Sequence, residues 1–161
     1  MRVRKIVSIL LALLLCAAVT AHAEQIRDDD EFERILGMEF DGGDLNGGDV
    51  RMSIIDGNIG EVTYWLENVN GDSVRWTVRF TRNQGYASDG ILSGISESDL
   101  SNPMDLSGNG INLRLRTAYS TGTDVYFWNR GRNCYCLIID SLIYSNNQLS
   151  AQMDQIMDAC D

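Results

Sequence analysis

The sequence predicts an α+β domain: a curved antiparallel sheet of about six strands, with an N-terminal and a C-terminal helix on one face. Three observations carry this. Apolar and polar residues alternate with period two through the middle of the chain, most plainly in "SVRWTVRFT" (73–81). Short turns rich in Gly, Asn and Asp separate these runs, which suits strands that return beside their predecessors. Helical periodicity is confined to the two ends of the domain.

The first helix is read from "DDDEFERILG". Asp28 to Asp30 supply an N-cap and an acidic first turn, Phe32, Ile35 and Leu36 share a face, and Gly37 ends it. After the loop "DGGDLNGGD" the period changes to two. "VRMSI" places Val50, Met52 and Ile54 together, and after a "DGN" turn "EVTYWLE" places Val62, Tyr64 and Leu66 together. In "SVRWTVRFT", Val74, Trp76, Val78 and Phe80 oppose Arg75, Thr77, Arg79 and Thr81. A polar loop is expected over about 83–109. "INLRLRT" then sets Ile111, Leu113 and Leu115 against Asn112, Arg114 and Arg116, and "VYFWN" and "CYCLIID" complete the strands. The closing helix is read from "LSAQMDQIMDAC", with Ser150 as its N-cap and Leu149, Met153, Ile156, Met157 and Cys160 as its apolar stripe. Two three-strand halves suggest an internal duplication, although they do not align.

The N-terminus predicts export. Arg2, Arg4 and Lys5 precede an unbroken apolar run from Ile6 to Val19, and "AHA" (21–23) presents small residues for signal-peptidase cleavage before Glu24. Residues 1–23 are therefore read as a signal peptide and 24–161 as a single domain. The run is shorter than the roughly 20 residues that span a bilayer, so no stable membrane insertion is expected after cleavage. Leu15 ahead of Cys16 is too large for a lipoprotein signal. Cleavage would also remove Cys16 and the single histidine, His22.

Without its three basic signal residues the chain holds ten arginines, no lysine and 23 acids, a net charge of −13. That charge excludes a nucleic-acid partner, since phosphate contacts need positive protein surface. Loss of His22 removes Ser-His-Asp and Cys-His chemistry and histidine metal sites. No phosphate-binding loop or nucleophile-elbow pattern is present. Carboxylate pairs for glycosidase-type chemistry carry no signal in a chain this acidic. "DGGDLNGGD" has the composition of a calcium loop without the spacing of an EF-hand, and its simpler reading is an acidic turn. No cofactor and no metal site are expected.

"NCYCLII" (133–139) raises the question of Cys134 and Cys136. A redox pair favours C-x-x-C at a helix start, and zinc needs more ligands than Cys160 can add. A strand is the better reading, with Cys134, Cys136 and Ile138 facing inward. In an oxidising compartment Cys160 can then bridge to a strand cysteine, with Cys136 favoured. The alternative is three buried thiols, because an odd number leaves one unbridged.

Several segments, taken in order, resemble the family catalogued as domain of unknown function 4367, found in secreted or membrane-anchored proteins of clostridia-like bacteria. "DDEFERILGMEF" resembles its opening helix, and "GNIGEVTYWLENVNGDSVRWTVRFT" its paired strands. "GILSGI" resembles its loop, "GINLRLRTAYSTGTDVYFWNRGRNCYCLII" its closing strands, and "LSAQMDQIMDAC" its terminal helix. The chain departs from the family where Cys134 and Cys136 replace aromatics and where "DGGDLNGGD" replaces a Val-Pro segment. The resemblance implies a curved half-barrel similar to lipoprotein carriers and transfers no catalytic residues.

Strand parity sends Arg75, Arg79, Arg114 and Arg116 to the outer sheet face, together with Trp65, Trp128 and Tyr135. Guanidinium forks and flat rings suit an anionic envelope polymer or a peptide. The expected function is a non-catalytic secreted sensing or binding module of the bacterial cell envelope. The alternatives are an apolar-ligand or lipoprotein carrier and a small carboxylate-dependent hydrolase. In the competing view of that face, the arginines pair with neighbouring acids while the long loop covers the aromatics, an arrangement common on solvated sheets.

Overall fold

A computed structural model describes residues 23–41, 50–108, 111–140 and 146–160. Of the expected signal peptide only Ala23 is among the described residues; Cys16, His22 and all but the first residue of the Gly-Asp loop lie outside them. Eight strands form one open antiparallel sheet: β1 (Ala23–Ile26), β2 (Arg51–Ile55), β3 (Ile59–Glu67), β4 (Ser73–Thr81), β5 (Met104–Gly108), β6 (Ile111–Thr117), β7 (Asp124–Arg130) and β8 (Asn133–Ile139). Their order is β1-β2-β3-β4-β8-β7-β6-β5. Two four-strand meanders thus meet at a β4–β8 seam. Among the described residues three α-helices accompany them: α1 (Asp30–Leu36), α2 (Asp89–Ser93) and α3 (Asn146–Asp158).

The α+β class agrees with the sequence, but the sheet has eight strands, not six. The two additional strands are its rims. β1 has only four residues and a single buried one, Ile26. β5 falls in the stretch expected to be a polar loop, and its Met104 and Leu106 are exposed. Short, half-apolar rims give little periodic signal, and they also blunt the sheet edges.

Local chemistry explains the boundaries. Gly37 ends α1 at φ 65°, donating its N–H to Glu33 O at 2.9 Å. The β2–β3 hairpin turns through Asp56 and Gly57, at φ 51° and 66°, the left-handed pair that a tight hairpin needs.

The main core lies between the sheet and helices α1 and α3. Val62, Tyr64 and Leu66 register directly with Val78, Trp76 and Val74, as their alternation predicts. Phe80 packs edge-on to Phe32 of α1 at 4.9 Å and stacks with Phe40 at 5.4 Å. Ile156, Met157 and Cys160 enter the same core from the C-terminal end of the chain. Ile35 of the predicted α1 face is instead exposed. A second apolar cluster forms on the opposite sheet face, where Leu92 of α2 and Leu100 cover Val125, Phe127, Cys134 and Cys136.

That division corrects the parity expected for β7 and β8. Tyr135, Leu137 and Ile139 stand opposite Phe80, Val78 and Trp76 and therefore face α1 and α3. Trp128 pairs with Tyr135 and stacks on it at 5.4 Å, so both aromatics lie in the main core and not on the outer face. Cys134 and Cys136 turn to the α2 side. The expected Cys136–Cys160 disulfide is absent: all three thiols are buried, and Cys136 and Cys160 belong to clusters on opposite faces of the sheet. A sheet lies between them, and no rotamer change brings their sulfurs together.

Two outcomes follow. A Cβ on Gly60 would lie 2.3 Å from the Phe80 ring, so Gly60→Ala should lower stability by roughly 1–3 kcal/mol in urea denaturation. Burial pushes the Cys136 thiol up to about 12 from an ordinary 9.0, and burial with the Asp124 charge pushes Tyr126 up to about 12 from 10.0. Both groups are held protonated in the fold. Their contribution is fully present below pH 9 and is lost as pH rises toward 12. The urea midpoint should fall across that window, and less steeply in Cys136→Ala.

Candidate functional site

Residues that pair directly across strands share a face, so the registers build the outer sheet face row by row. One row runs Ser53, Glu61, Arg79, Cys136, Phe127, Arg114. The next runs Arg51, Thr63, Thr77, Ile138, Val125, Arg116, and a third places Trp65 beside Arg75. Arg75, Arg79, Arg114, Arg116 and Trp65 therefore do share this face.

Three of these arginines act inside the protein. Residues 84–103 cross the face between the two meanders, and the arginines hold that segment down. Arg79 donates Nε–H to Glu61 Oε2 at 2.7 Å and a second N–H to Ser93 O at 2.6 Å. Arg114 binds the Asp89 carboxylate while its guanidinium lies 5.6 Å over the Phe127 ring. Arg116, 8 % exposed, reaches Asp89 at 3.1 Å, also binds Glu97, and donates to Ser101 O at 2.7 Å and Leu100 O at 3.3 Å. Burial acts to lower the Arg116 pKa, but the hydrogen bonds to Glu97 and Asp89 outweigh it and raise the pKa above its ordinary value. The arrangement therefore follows the competing, paired view of the arginines. The acids that complete the pairs, Asp89 and Glu97, lie in a stretch without periodicity and were not singled out from the sequence.

Arg75 differs. Its Nε–H binds Asp140 Oδ2 at 2.8 Å, yet its side chain is 55 % exposed. It borders an open cleft of about 400 Å³ with Thr63, Thr77, Arg79, Thr123 and Asp140 on its walls. The Thr63 and Thr77 hydroxyls lie 3.4 Å apart on adjacent strands. Trp65 is half-buried next to Arg75, with the Arg51 guanidinium 5.2 Å from its ring centre. Polar, hydroxyl-rich walls, two exposed cations and one aromatic ring can bind a polar chain. The carboxylates at the cleft, Glu61 and Asp140, are each occupied by an arginine.

Among the described residues one acidic group has the spacing of a metal site: the carboxylates of Asp28, Asp29 and Asp30 lie within 4.8 Å of one another. Asp28 and Asp29 accept from the Asp30 N–H at 3.0 and 3.1 Å, so they cap α1. Burial and the shared hydrogen bond with Asp28 raise the Asp29 pKa.

Truncating the two kinds of arginine should separate them. Arg116→Ala leaves Asp89 without its deepest partner and frees the crossing segment, so it should cost on the order of 2–3 kcal/mol in urea denaturation and speed maleimide labelling of Cys134 and Cys136. Arg75→Ala should cost less than about 1 kcal/mol and leave labelling unchanged.

Comparison of the chain with protein-family models, with curated proteins and with solved structures returns no match.

Proposed function

We propose that the chain is a non-catalytic, exported sensing or binding module whose ligand is an anionic polymer of the cell envelope. The single observation that carries this reading is the open cleft bordered by Arg75 and the Thr63 and Thr77 hydroxyls, with Trp65 and Arg51 on the same face. An exposed guanidinium can take a carboxylate or phosphate in a forked contact, and the hydroxyls can take the sugar or backbone oxygens between charges. The export signal and the family resemblance supply the envelope setting.

The alternatives find less support. A carrier needs an apolar cavity between helices and sheet. That space is filled by Phe32, Trp76, Phe80 and Ile156, each at 0 % exposure. A hydrolase that uses carboxylates alone needs one acid protonated and one ionised. At this cleft each acid is already taken up in an ion pair, Asp140 with Arg75 and Glu61 with Arg79.

Arg79 and Arg114 are unsuitable binding variants, because both secure the crossing segment. The informative variant is Arg75→Ala combined with Trp65→Ala. Cosedimentation with Gram-positive cell walls that retain their phosphate polymers should fall by about tenfold or more, with little change in melting temperature. Walls stripped of those polymers should bind the native chain no better than the variant. Equal sedimentation of both proteins with intact walls would remove the proposal.

A further inference from the structure

The walls of the Arg75 cleft carry both charges in equal number: Arg75 and Arg79 against Glu61 and Asp140. A plain polyanion is poorly matched to that balance. Each anionic group that entered would meet a guanidinium already neutralised by a carboxylate, and would sit beside that carboxylate. A ligand that brings both charges meets no such repulsion.

The two ion pairs differ in what they leave open. Arg79 and Glu61 are half-buried and used up inside the protein. Arg79 also binds Ser93 O at 2.6 Å, and Glu61 Oε1 accepts from the Ser53 hydroxyl at 3.2 Å. Arg75 and Asp140 meet through one hydrogen bond, from Nε–H to Oδ2 at 2.8 Å, and the Asp140 side chain is 37 % exposed. Among the described residues the Arg75 Nη groups have no acceptor and Asp140 Oδ1 has no donor. A guanidinium has five N–H groups and a carboxylate accepts on both oxygens, so the pair offers donors and an acceptor side by side at an open cleft. Phosphate suits the first and a primary ammonium the second, because charge-assisted hydrogen bonds are the strong ones. Two hydroxyl pairs complete the walls, Thr63 with Thr77 at 3.4 Å and Thr121 with Thr123 at 2.8 Å. In each pair one hydroxyl hydrogen is spent on its neighbour and the other is left for a ligand oxygen. Arg51, over the Trp65 ring, forms no ion pair among the described residues. It adds one uncompensated positive charge near the cleft, which suits a polymer that is anionic in sum.

We propose that the Arg75–Asp140 pair selects a repeat unit in which a primary amine accompanies the phosphate. The phosphate takes the Arg75 Nη groups, the ammonium donates to Asp140 Oδ1, and the threonine hydroxyls bind the oxygens between them. Asp140 is thereby a specificity-determining residue. This rests on the reading of the cleft as the site of an anionic envelope polymer, and it names the charge pattern of that polymer.

Two synthetic glycerol-phosphate oligomers of equal length test it, one with free hydroxyls and one bearing glycyl esters. Binding to the full mature chain is read by fluorescence anisotropy in mildly acidic buffer, in which the esters persist. The native chain should bind the glycyl oligomer at least about fivefold more tightly. N-acetylation removes the charge of the glycyl groups without shrinking them, and should remove the preference. Asp140→Asn keeps the shape of the side chain and should bind both oligomers alike, with an unchanged melting temperature. Equal binding of the two oligomers by the native chain, a preference that survives acetylation, or one that survives in Asp140→Asn would each overturn the proposal. In those cases loss of plain-oligomer binding in Arg75→Ala combined with Trp65→Ala would leave the polymer reading standing. Binding of neither oligomer by the native chain would overturn both. Lipid headgroups also carry phosphate and amine together, so tighter retention on phosphatidylethanolamine vesicles than on the glycyl oligomer would assign the pair to a lipid and overturn the proposal.

Discussion

Everything in this structure depends on the ladder between β4 and β8. It joins residues 53 to 63 positions apart, from Trp76↔Ile139 to Thr81↔Cys134. Among the described residues it is the one seam between the two meanders in the strand order. By setting Phe80 against Tyr135 and Val78 against Leu137, it aligns the apolar faces of both halves, so that α1 and α3 cover one continuous core. A slip of one residue would turn Arg79 into that core and Phe80 out of it. By the same alignment Arg79, Arg114 and Arg116 all fall on the other face, where one crossing segment can meet all three.

That crossing segment is held in an unusual balance. Beneath it lie apolar residues, Phe127, Val125 and Cys136, and above and around them lie charge pairs. Apolar contact excludes water but does not choose a position along the sheet. The carboxylates of Asp89 and Glu97 choose it, because each must find its guanidinium to avoid being desolvated without compensation. Specificity of placement comes from the ions, and the larger share of the burial energy comes from the apolar underside.

Legibility in the sequence followed burial. β3 and β4 read clearly because one face is apolar and the other polar, and their registers match the alternation residue for residue. "VYFWN" and "NCYCLII" could not be oriented, because both faces of β7 and β8 are buried and no polar position marks the outside. The wider aromatic rings took the deeper core and the sulfurs took the α2 side, which undid both the disulfide and two of the three aromatics expected on the outer face. The shared face of Arg75, Arg79, Arg114 and Arg116 was visible from parity alone. Their partners were not, since Asp89 and Glu97 meet Arg116 across 27 and 19 positions of chain.

The place of β8 as the last strand has a consequence for biogenesis. β4 is synthesised long before its partner, and until β8 arrives its apolar residues Trp76, Val78 and Phe80 border an open hydrogen-bonding edge. Such an edge is a template for pairing with other chains. The N-terminal meander therefore spends most of the chain's emergence as its most association-prone form, and sheet closure waits on a distant pairing that is intrinsically slow. A fragment that ends before residue 133 would keep that edge permanently, so the two meanders, for all their resemblance to separate units, are secure only as one.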